Sequence, residues 1–462
     1  MIDLVVAAVD RWDAHTRAVE AMLRSYRAVP AGAPVRLAKR TSNLFRPRTG
    51  TVVAGLDASG LTGVLEVDPD GRTAEVQGMC TYESLVEATL PYGLAPLVVP
   101  QLRTITLGGA VTGLGIESTS FRHGLPHESV LEMDVLTGAG EVVTAAPDGE
   151  HDELFRAFPN SYGALGYATR LRIELQPVGP YVALRNVRFT DLDELVAAVG
   201  EVTGTGAWGG ERVDAMDGVM FSPDEAYLVL GTFTDQVPAV SDYTGQDVYY
   251  RSLRDRGRDA LTVHDYLWRW DTDWFWCSRA FGVQNPHVRR LWPRRYRRSD
   301  VYHRLVGLDH RLHVAARLDR LRGLPPRERV VQDVEIPLEG AADFLRWFSD
   351  NVPMEPVWLC PVRLRSDRAW PLYPLSPGRT YVNVGFWGTV PIAPGAVDGD
   401  VNRAVEQAVA DAGGHKSLYS DAYYDRETFD RLYGGQTYRS AKERYDPAHR
   451  LTDMYDKVVG RR

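Results

Sequence analysis

Residues 104–124, T-I-T-L-G-G-A-V-T-G-L-G-I-E-S-T-S-F-R-H-G, decide how the rest of this chain is read. Five glycines (Gly108, Gly109, Gly113, Gly115 and Gly124) alternate with the hydroxyls of Thr104, Thr106, Thr112, Ser118, Thr119 and Ser120. Glycine lets backbone N–H groups approach a ligand without a Cβ in the way, and short hydroxyls hydrogen-bond phosphate, ribityl or ring carbonyl oxygens. Alone, the run reads first as a glycine-rich connection between strands. Its neighbours change that reading.

On both sides the pattern is α+β. Residues 5–26 place Val9, Trp12, Val19, Met22, Leu23 and Tyr26 at spacings near three and four, which predicts an amphipathic helix in a segment spanning 1–30. Residues 61–67 and 73–77 read as strands around D-P-D-G-R, where Asp70-Gly71 is a hairpin signal. A short helix is predicted at 83–90, paired strands at 130–136 and 142–145, and a closing strand at 167–175. This is not the βαβ repeat of a nicotinamide-binding Rossmann domain, so G-A-L-G-Y-A at 163–168 belongs with the glycine-rich unit. Pro177, Gly179 and Pro180 mark the exit to a second domain, 179–440, and 441–462 is expected to pack back on the body. Nine of the eleven tryptophans lie between Trp268 and Trp387; Trp268, Trp270, Trp274 and Trp276 sit at every second position, as on a strand that lines a cavity or buries one face.

Composition sets the outer bounds. The 462 residues carry 53 basic and 61 acidic side chains, net −8, which argues against wholesale nucleic-acid binding. Cys80, Cys277 and Cys360 have no C-x-x-C spacing, so neither a disulfide framework nor a zinc site is expected, and no metal. The N-terminal apolar run covers only residues 4–9, so no signal peptide or spanning helix is expected and the location is read as cytoplasmic.

The glycine-rich run, together with V-Q-G-M-C-T-Y-E-S-L (76–85), G-L-A-P (93–96), V-L-T-G-A-G-E (135–141) and S-Y-G-A-L-G-Y-A-T (161–169), resembles the vanillyl-alcohol-oxidase or PCMH-type FAD-binding domain, over roughly residues 31–178. The resemblance implies a two-subdomain FAD domain followed by an α+β substrate-binding cap. It places the flavin against Thr106, Leu107, Gly108, Gly109, Thr112, Gly115, Ile116, Ser118, Ser120, His123, Gly124 and Gly166. Where relatives carry a glycine-rich diphosphate turn, this chain has K-R-T-S-N-L-F-R (39–46), so Lys39, Thr41, Ser42 and Asn43 are the candidate diphosphate contacts. The histidine that some relatives link to flavin is missing from this segment, implying non-covalent FAD.

V-V-Q-D-V-E-I-P (330–337), P-V-W-L-C-P (356–361) and L-Y-S-D-A-Y-Y-D-R-E-T-F (418–429) look like the sterol Δ24-reductases, although the membrane anchor of those enzymes has no counterpart here. V-R-L-A-K-R-T-S-N-L-F-R (35–46) and the overall layout resemble the actinobacterial flavin enzymes that reduce a 10-methylene fatty acyl chain to its 10-methyl form. That resemblance implies a lipid acyl substrate, NADPH as co-substrate and an S-adenosylmethionine-dependent methyltransferase as pathway partner. Both alkenes lack a conjugated carbonyl and give a tertiary cation on protonation, so the expected chemistry is a proton from an enzyme acid and a hydride from reduced flavin in a dry site.

Asp333 and Glu335 are the first candidate donors, since i, i+2 on a strand puts both on one face and a desolvated carboxyl keeps its proton. Tyr419, Tyr423, Tyr424 and His123 follow, with Tyr424 the phenol chosen. A salt bridge or a buried hydrogen bond is the plain alternative for each. H-V-R-R-L-W-P-R-R-Y-R-R-S (287–299) clusters Arg289, Arg290, Arg294, Arg295, Arg297 and Arg298 around Trp292 and Tyr296, which suits peripheral contact with an anionic membrane, a solvated loop paired with acids, or recognition of the NADPH phosphate. H-E-x-x-H, G-x-S-x-G and Walker patterns are missing from the chain. The competing classes are an oxygen-using alcohol, sugar or lactone oxidase and a lipid-binding protein with a vestigial flavin fold.

Overall fold

The computed structural model describes residues 2–38, 55–312 and 323–459. Helix α1 (Ile2–Ala28) buries Met22 and Tyr26 against Leu61, Leu136 and Leu451, while Val9 on the predicted apolar side is exposed. The first sheet has the order β1 (Val64–Asp68), β2 (Thr73–Gln77), β6 (Gly166–Pro177), β4 (Val130–Thr137), β5 (Val142–Ala145), with β3 (Leu94–Pro96) pairing β6. All its pairings are antiparallel. The β1–β2 turn forms because Asp68 Oδ1 accepts from the amides of Asp70 and Gly71 at 3.1 and 2.9 Å. Helix α2 (Tyr82–Thr89) starts where the Thr81 hydroxyl accepts from the Ser84 amide, and Pro91 and Gly93 turn the chain out of it.

The second sheet takes its strands from the later chain: β7 (Tyr181–Phe189), β10 (Ala215–Ser222), β11 (Glu225–Thr234), β12 (Arg258–Thr262), β13 (Arg327–Pro337), β14 (Val357–Arg363), β15 (Thr380–Pro391) and β16 (His415–Lys416), in the order β12-β7-β11-β10-β14-β15-β13-β16. A two-stranded ribbon, β8 (Ala207–Trp208) with β9 (Glu211–Arg212), stands apart. One face is covered by α5 (Leu192–Thr205), α6 (Ala341–Asn351) and α7 (Asp400–Asp411), whose Leu195, Phe348 and Val405 pack on Val334, Leu359 and Phe386. Trp358 and Cys360, on the other face, join one core with Leu107 and Ile116 of the glycine-rich run. The two sheets therefore meet at that run.

Residues 268–276 are not a strand. They form successive turns after a short helix, Val263–Leu267, with Trp274 and Phe275 at positive φ of 45° and 58°. Their spacing of two arises because tertiary packing draws every indole inward, and all four tryptophans are buried.

The C-terminal segment closes the first sheet. Lys442 Nζ donates to the carbonyls of Ala164 and Leu451 at 2.8 Å each, and Val35 N donates to Arg450 O at 2.7 Å. Arg450 in turn donates to the carbonyls of Val29 and Ala33 at 3.2 Å. Among the described residues no helix is long and apolar enough to cross a membrane.

Candidate active site

The glycine-rich run folds as two short helices joined by an extended bend. Helix α3 (Leu107–Thr112) begins where Thr106 Oγ1 accepts from the Gly109 amide and ends at Gly113; α4 (Ser120–His123) ends at Gly124, whose φ of 69° favours glycine. A Cβ on Gly108 would meet Gly78 O at 2.6 Å, so α3 lies directly on the backbone of the first sheet. The hydroxyls largely hold the run itself. Thr112 donates to Gly108 O at 2.7 Å, Ser120 Oγ accepts from Glu117 N at 3.0 Å, and Ser118 Oγ donates to Glu117 Oε2 while accepting from Tyr266 OH at 2.8 Å. Short side chains near their own backbone take these partners first.

Between the helices, the amides of Leu114, Gly115 and Ile116 find no protein acceptor among the described residues. Three N–H donors without a protein acceptor in a glycine bend are left available to a phosphate or a ring carbonyl. Beside it, Asn160 is buried and donates to Gly113 O at 2.6 Å while its own Oδ1 has no partner. These donors and the orphaned amide oxygen fit FAD. Lys39, Thr41, Ser42 and Asn43 lie outside the described residues. Gly166, with φ of 149°, abuts Leu136 O, and His123 stands at the far end of α4 against Gln176 at 3.1 Å. Burial pulls the His123 imidazole down to about 4, so it is neutral and a poor reservoir of protons at pH 7.

Asp333 and Glu335 both lie on β13, on the face turned away from α7. Gln332, just before Asp333 and on the opposite face, reaches Asn402 of α7 at 2.6 Å instead. Asn383 of β15 donates to Asp333 Oδ1 at 3.1 Å, and the Tyr419 phenol, held by Trp387 Nε1 at 2.8 Å, bonds the same carboxyl. Burial raises Asp333 to about 6. Glu335 takes a hydrogen bond from Ser417 at 3.0 Å and is pushed well above the carboxylate range, again chiefly by burial. His415 Nε2 lies 3.6 Å from Glu335 Oε2, but burial lowers this imidazole to about 3. Both groups are neutral, so the contact is no ion pair. Two carboxyls raised by burial side by side, with no Lys or Arg paired to them among the described residues, are suited to hold a proton rather than to form a salt bridge.

Tyr162 ties this pair to the glycine-rich run. Its amide donates to Thr112 O at 2.5 Å, and its hydroxyl accepts from Leu418 N at 2.9 Å, one residue from Ser417. Tyr424 feels the charge of Glu335 but makes no hydrogen bond to Asp333. Its hydroxyl bonds Tyr433, which is tied to Lys416 O at 2.8 Å, and burial raises it far out of range. The phenol on Asp333 is Tyr419, which the periodicity of 418–429 could not single out. Asn383, Tyr373, Ser417 and His415 around the carboxyls carried no sequence signal.

A second buried cluster joins the run to the other sheet. Arg269 Nη2 reaches Glu117 Oε1 and Asp217 Oδ2, each at 2.9 Å; Trp270 and Trp358 donate to the same Asp217 oxygen at 2.8 and 3.1 Å. The Arg269 guanidinium lies 4.0 Å over the Tyr266 ring. Glu117 is one residue from the free amides, so this cluster sets their position. Sequence reading passed over it because its members are 52 and 152 residues from Arg269.

Comparison with known proteins agrees with this geometry. Residues 14–146 match the family model described as FAD binding domain. The chain is 26% identical over 412 residues to the Delta(24)-sterol reductase of Macaca fascicularis, covering 86% of this chain and 76% of that one. The Arabidopsis thaliana Delta(24)-sterol reductase is 24% identical over 454 residues, with 87% and 76% covered. Cytokinin dehydrogenase 2 of Oryza sativa subsp. japonica is 35% identical, but over 154 residues, 32% of this chain and 27% of that one.

Proposed function

We propose that this FAD-dependent oxidoreductase saturates an isolated carbon–carbon double bond of a lipid, converting a 10-methylene-octadecanoyl chain of a phospholipid to 10-methyl-octadecanoyl with NADPH as electron source. The observation that supports it is the dry pair Asp333 and Glu335, joined through Ser417, Leu418 and Tyr162 to the run that fits FAD. FAD held at that run, once reduced by NADPH, would supply the hydride. An alkene without a neighbouring carbonyl accepts no hydride until a proton reaches its less substituted carbon, and that proton is what these carboxyls hold. Asn383 and Tyr419 orient the Asp333 carboxyl. Phe275, Trp276 and Trp387, with ring centres 4.3 and 5.3 Å from Trp387, form an aromatic wall beside Tyr419 that keeps water from the cationic carbon.

The sterol reductases among the relatives support C=C reduction and make a Δ24-sterol the second substrate reading. The acyl chain ranks first on the resemblance carried by residues 35–46 and on the Arg-, Ala-, Asp- and Val-rich composition of a high-GC bacterium, in which sterols are rare. The test is anaerobic stopped-flow: reduce with NADPH, add the 10-methylene phospholipid or the Δ24-sterol, and follow the flavin band near about 450 nm. Reoxidation by the methylene lipid alone is expected. Reoxidation by the sterol alone reverses the ranking, and rapid reoxidation by oxygen alone turns the enzyme into an oxidase.

A membrane-resident substrate calls for surface contact, and an S-adenosylmethionine-dependent methyltransferase would supply the methylene. Of the six clustered arginines, three face inward: Arg289 is buried on Asp273 at 2.7 Å, Arg297 donates to the carbonyls of Thr244 and Gly245, and Arg298 pairs with Glu83 at 2.8 Å. Arg290, Arg294 and Arg295 remain exposed beside Leu291, 84% exposed, and Tyr296. Replacing these three by Gln is expected to weaken binding to anionic phosphatidylglycerol vesicles by roughly 1 kcal/mol per arginine at flavin content equal to the parent. Undiminished vesicle binding discards the contact.

A further inference from the structure

A cavity of about 540 Å³ opens where strand ends of the two sheets meet, and its lining shares no residue with the carboxyl pair. The β1–β2 turn contributes Arg72, α4 contributes Arg122, β6 Glu174, β9 Arg212, and the loops after β9 and β14 Asp214 and Arg365. Four guanidiniums against two carboxylates leave a local charge of +2 on a protein whose net charge is −8. The carboxylates fix three of the arginines. Asp214 Oδ1 takes Arg122 at 3.1 Å and its Oδ2 takes Arg212 at 2.8 Å, while both Glu174 oxygens take Arg365. Arg72 differs: among the described residues its side chain has no ion-pair or hydrogen-bond partner.

Each guanidinium has five N–H donors, and an arginine bound to one carboxylate keeps others free in the same planar fork. Converging forks of this kind, with more cation than the protein neutralises, are the donor set of a phosphate, which takes paired N–H groups on several oxygens at once. The volume falls in the range of small-ligand pockets rather than of a protein docking face. We infer that this cleft binds a phosphate monoester or diphosphate group, with Arg72 as the cation the ligand completes. Two sources share that chemistry, the phosphate of a nucleotide and the headgroup of a phospholipid. The neighbouring His123 is consistent with the field there: after burial, the repulsion of Arg122 is the largest influence holding its imidazole neutral. The inference holds whether or not the alkene is the substrate.

The test is calorimetric titration of the FAD-loaded enzyme with inorganic phosphate, glycerol 3-phosphate and 2′,5′-ADP. At least one is expected to bind the parent, and Arg72→Ala to bind it about tenfold more weakly, with a further loss in Arg72→Ala/Arg212→Ala. Flavin content and thermal midpoint of Arg72→Ala should match the parent, because that side chain touches nothing the fold uses. Preference for 2′,5′-ADP assigns the cleft to a nucleotide, and preference for glycerol 3-phosphate to a lipid headgroup. No heat from any probe up to about 10 mM, or equal affinity in both variants and the parent, overturns the site.

Discussion

Asp333→Asn is expected to slow reoxidation of the reduced enzyme by the alkene about 10²–10⁴-fold, the usual contribution of a general acid, while reduction by NADPH proceeds as in the parent. Stopped-flow separates the two half-reactions. The pH profile carries the sign. A donor raised to about 6 by burial is protonated below that value, so the alkene step slows as pH climbs through it. If Glu335 gives the proton instead, the fall comes at higher pH, because that carboxyl is held further above its ordinary range, and Glu335→Gln becomes the slow variant. Stability runs the same way as activity. A carboxyl whose folded pKa is raised contributes stability that is whole below its unfolded value and is lost as pH rises through the folded one. Asp333→Asn should therefore melt higher than the parent at pH 8, and the two should converge near about pH 3. A variant that keeps the parent's alkene step across this range removes Asp333 from the chemistry.

Arg269→Met is expected to cost about 3–5 kcal/mol, read as a lowered urea midpoint, and to empty the flavin site. Glu117 and Asp217 are buried carboxylates whose shared cation is Arg269, and burial already lifts Glu117 above its ordinary range. Without the guanidinium, one carboxylate must protonate or the cluster must admit water. Either event shifts Glu117, which is adjacent to Ile116 and its free amide, so loss of FAD should accompany loss of stability. The triple change Glu117→Gln/Asp217→Asn/Arg269→Met removes every charge and should recover most of the midpoint. A single Arg269→Met variant as stable as the parent would sink this account.

What could be read from the sequence is whatever local stereochemistry dictates. Asp70-Gly71 makes its hairpin through Asp68, and two carboxyls at i, i+2 share a face because a strand alternates. Such features need no knowledge of the distant chain. Spacing alone failed where burial sets the pattern, as in residues 268–276, whose alternate indoles occur in turns. Partners were hidden altogether. Nothing near Arg289 announces that Asp273 and the carbonyls of Tyr243 and Gly245 will take it out of the basic surface, and nothing near Asp333 points to Asn383 or Tyr419, 50 and 86 positions away. Sequence proposes side chains, and the long-range fold decides which of them meet.

The clasp by which Lys442 and Arg450 seize the carbonyls of Ala164, Val29 and Ala33 gives the molecule an order of assembly. On the ribosome the first sheet emerges early, yet residues that complete it arrive after the whole eight-stranded sheet has been made. Removing the segment from Lys442 onward therefore strips the carbonyls of Ala164, Val29 and Ala33 of these donors.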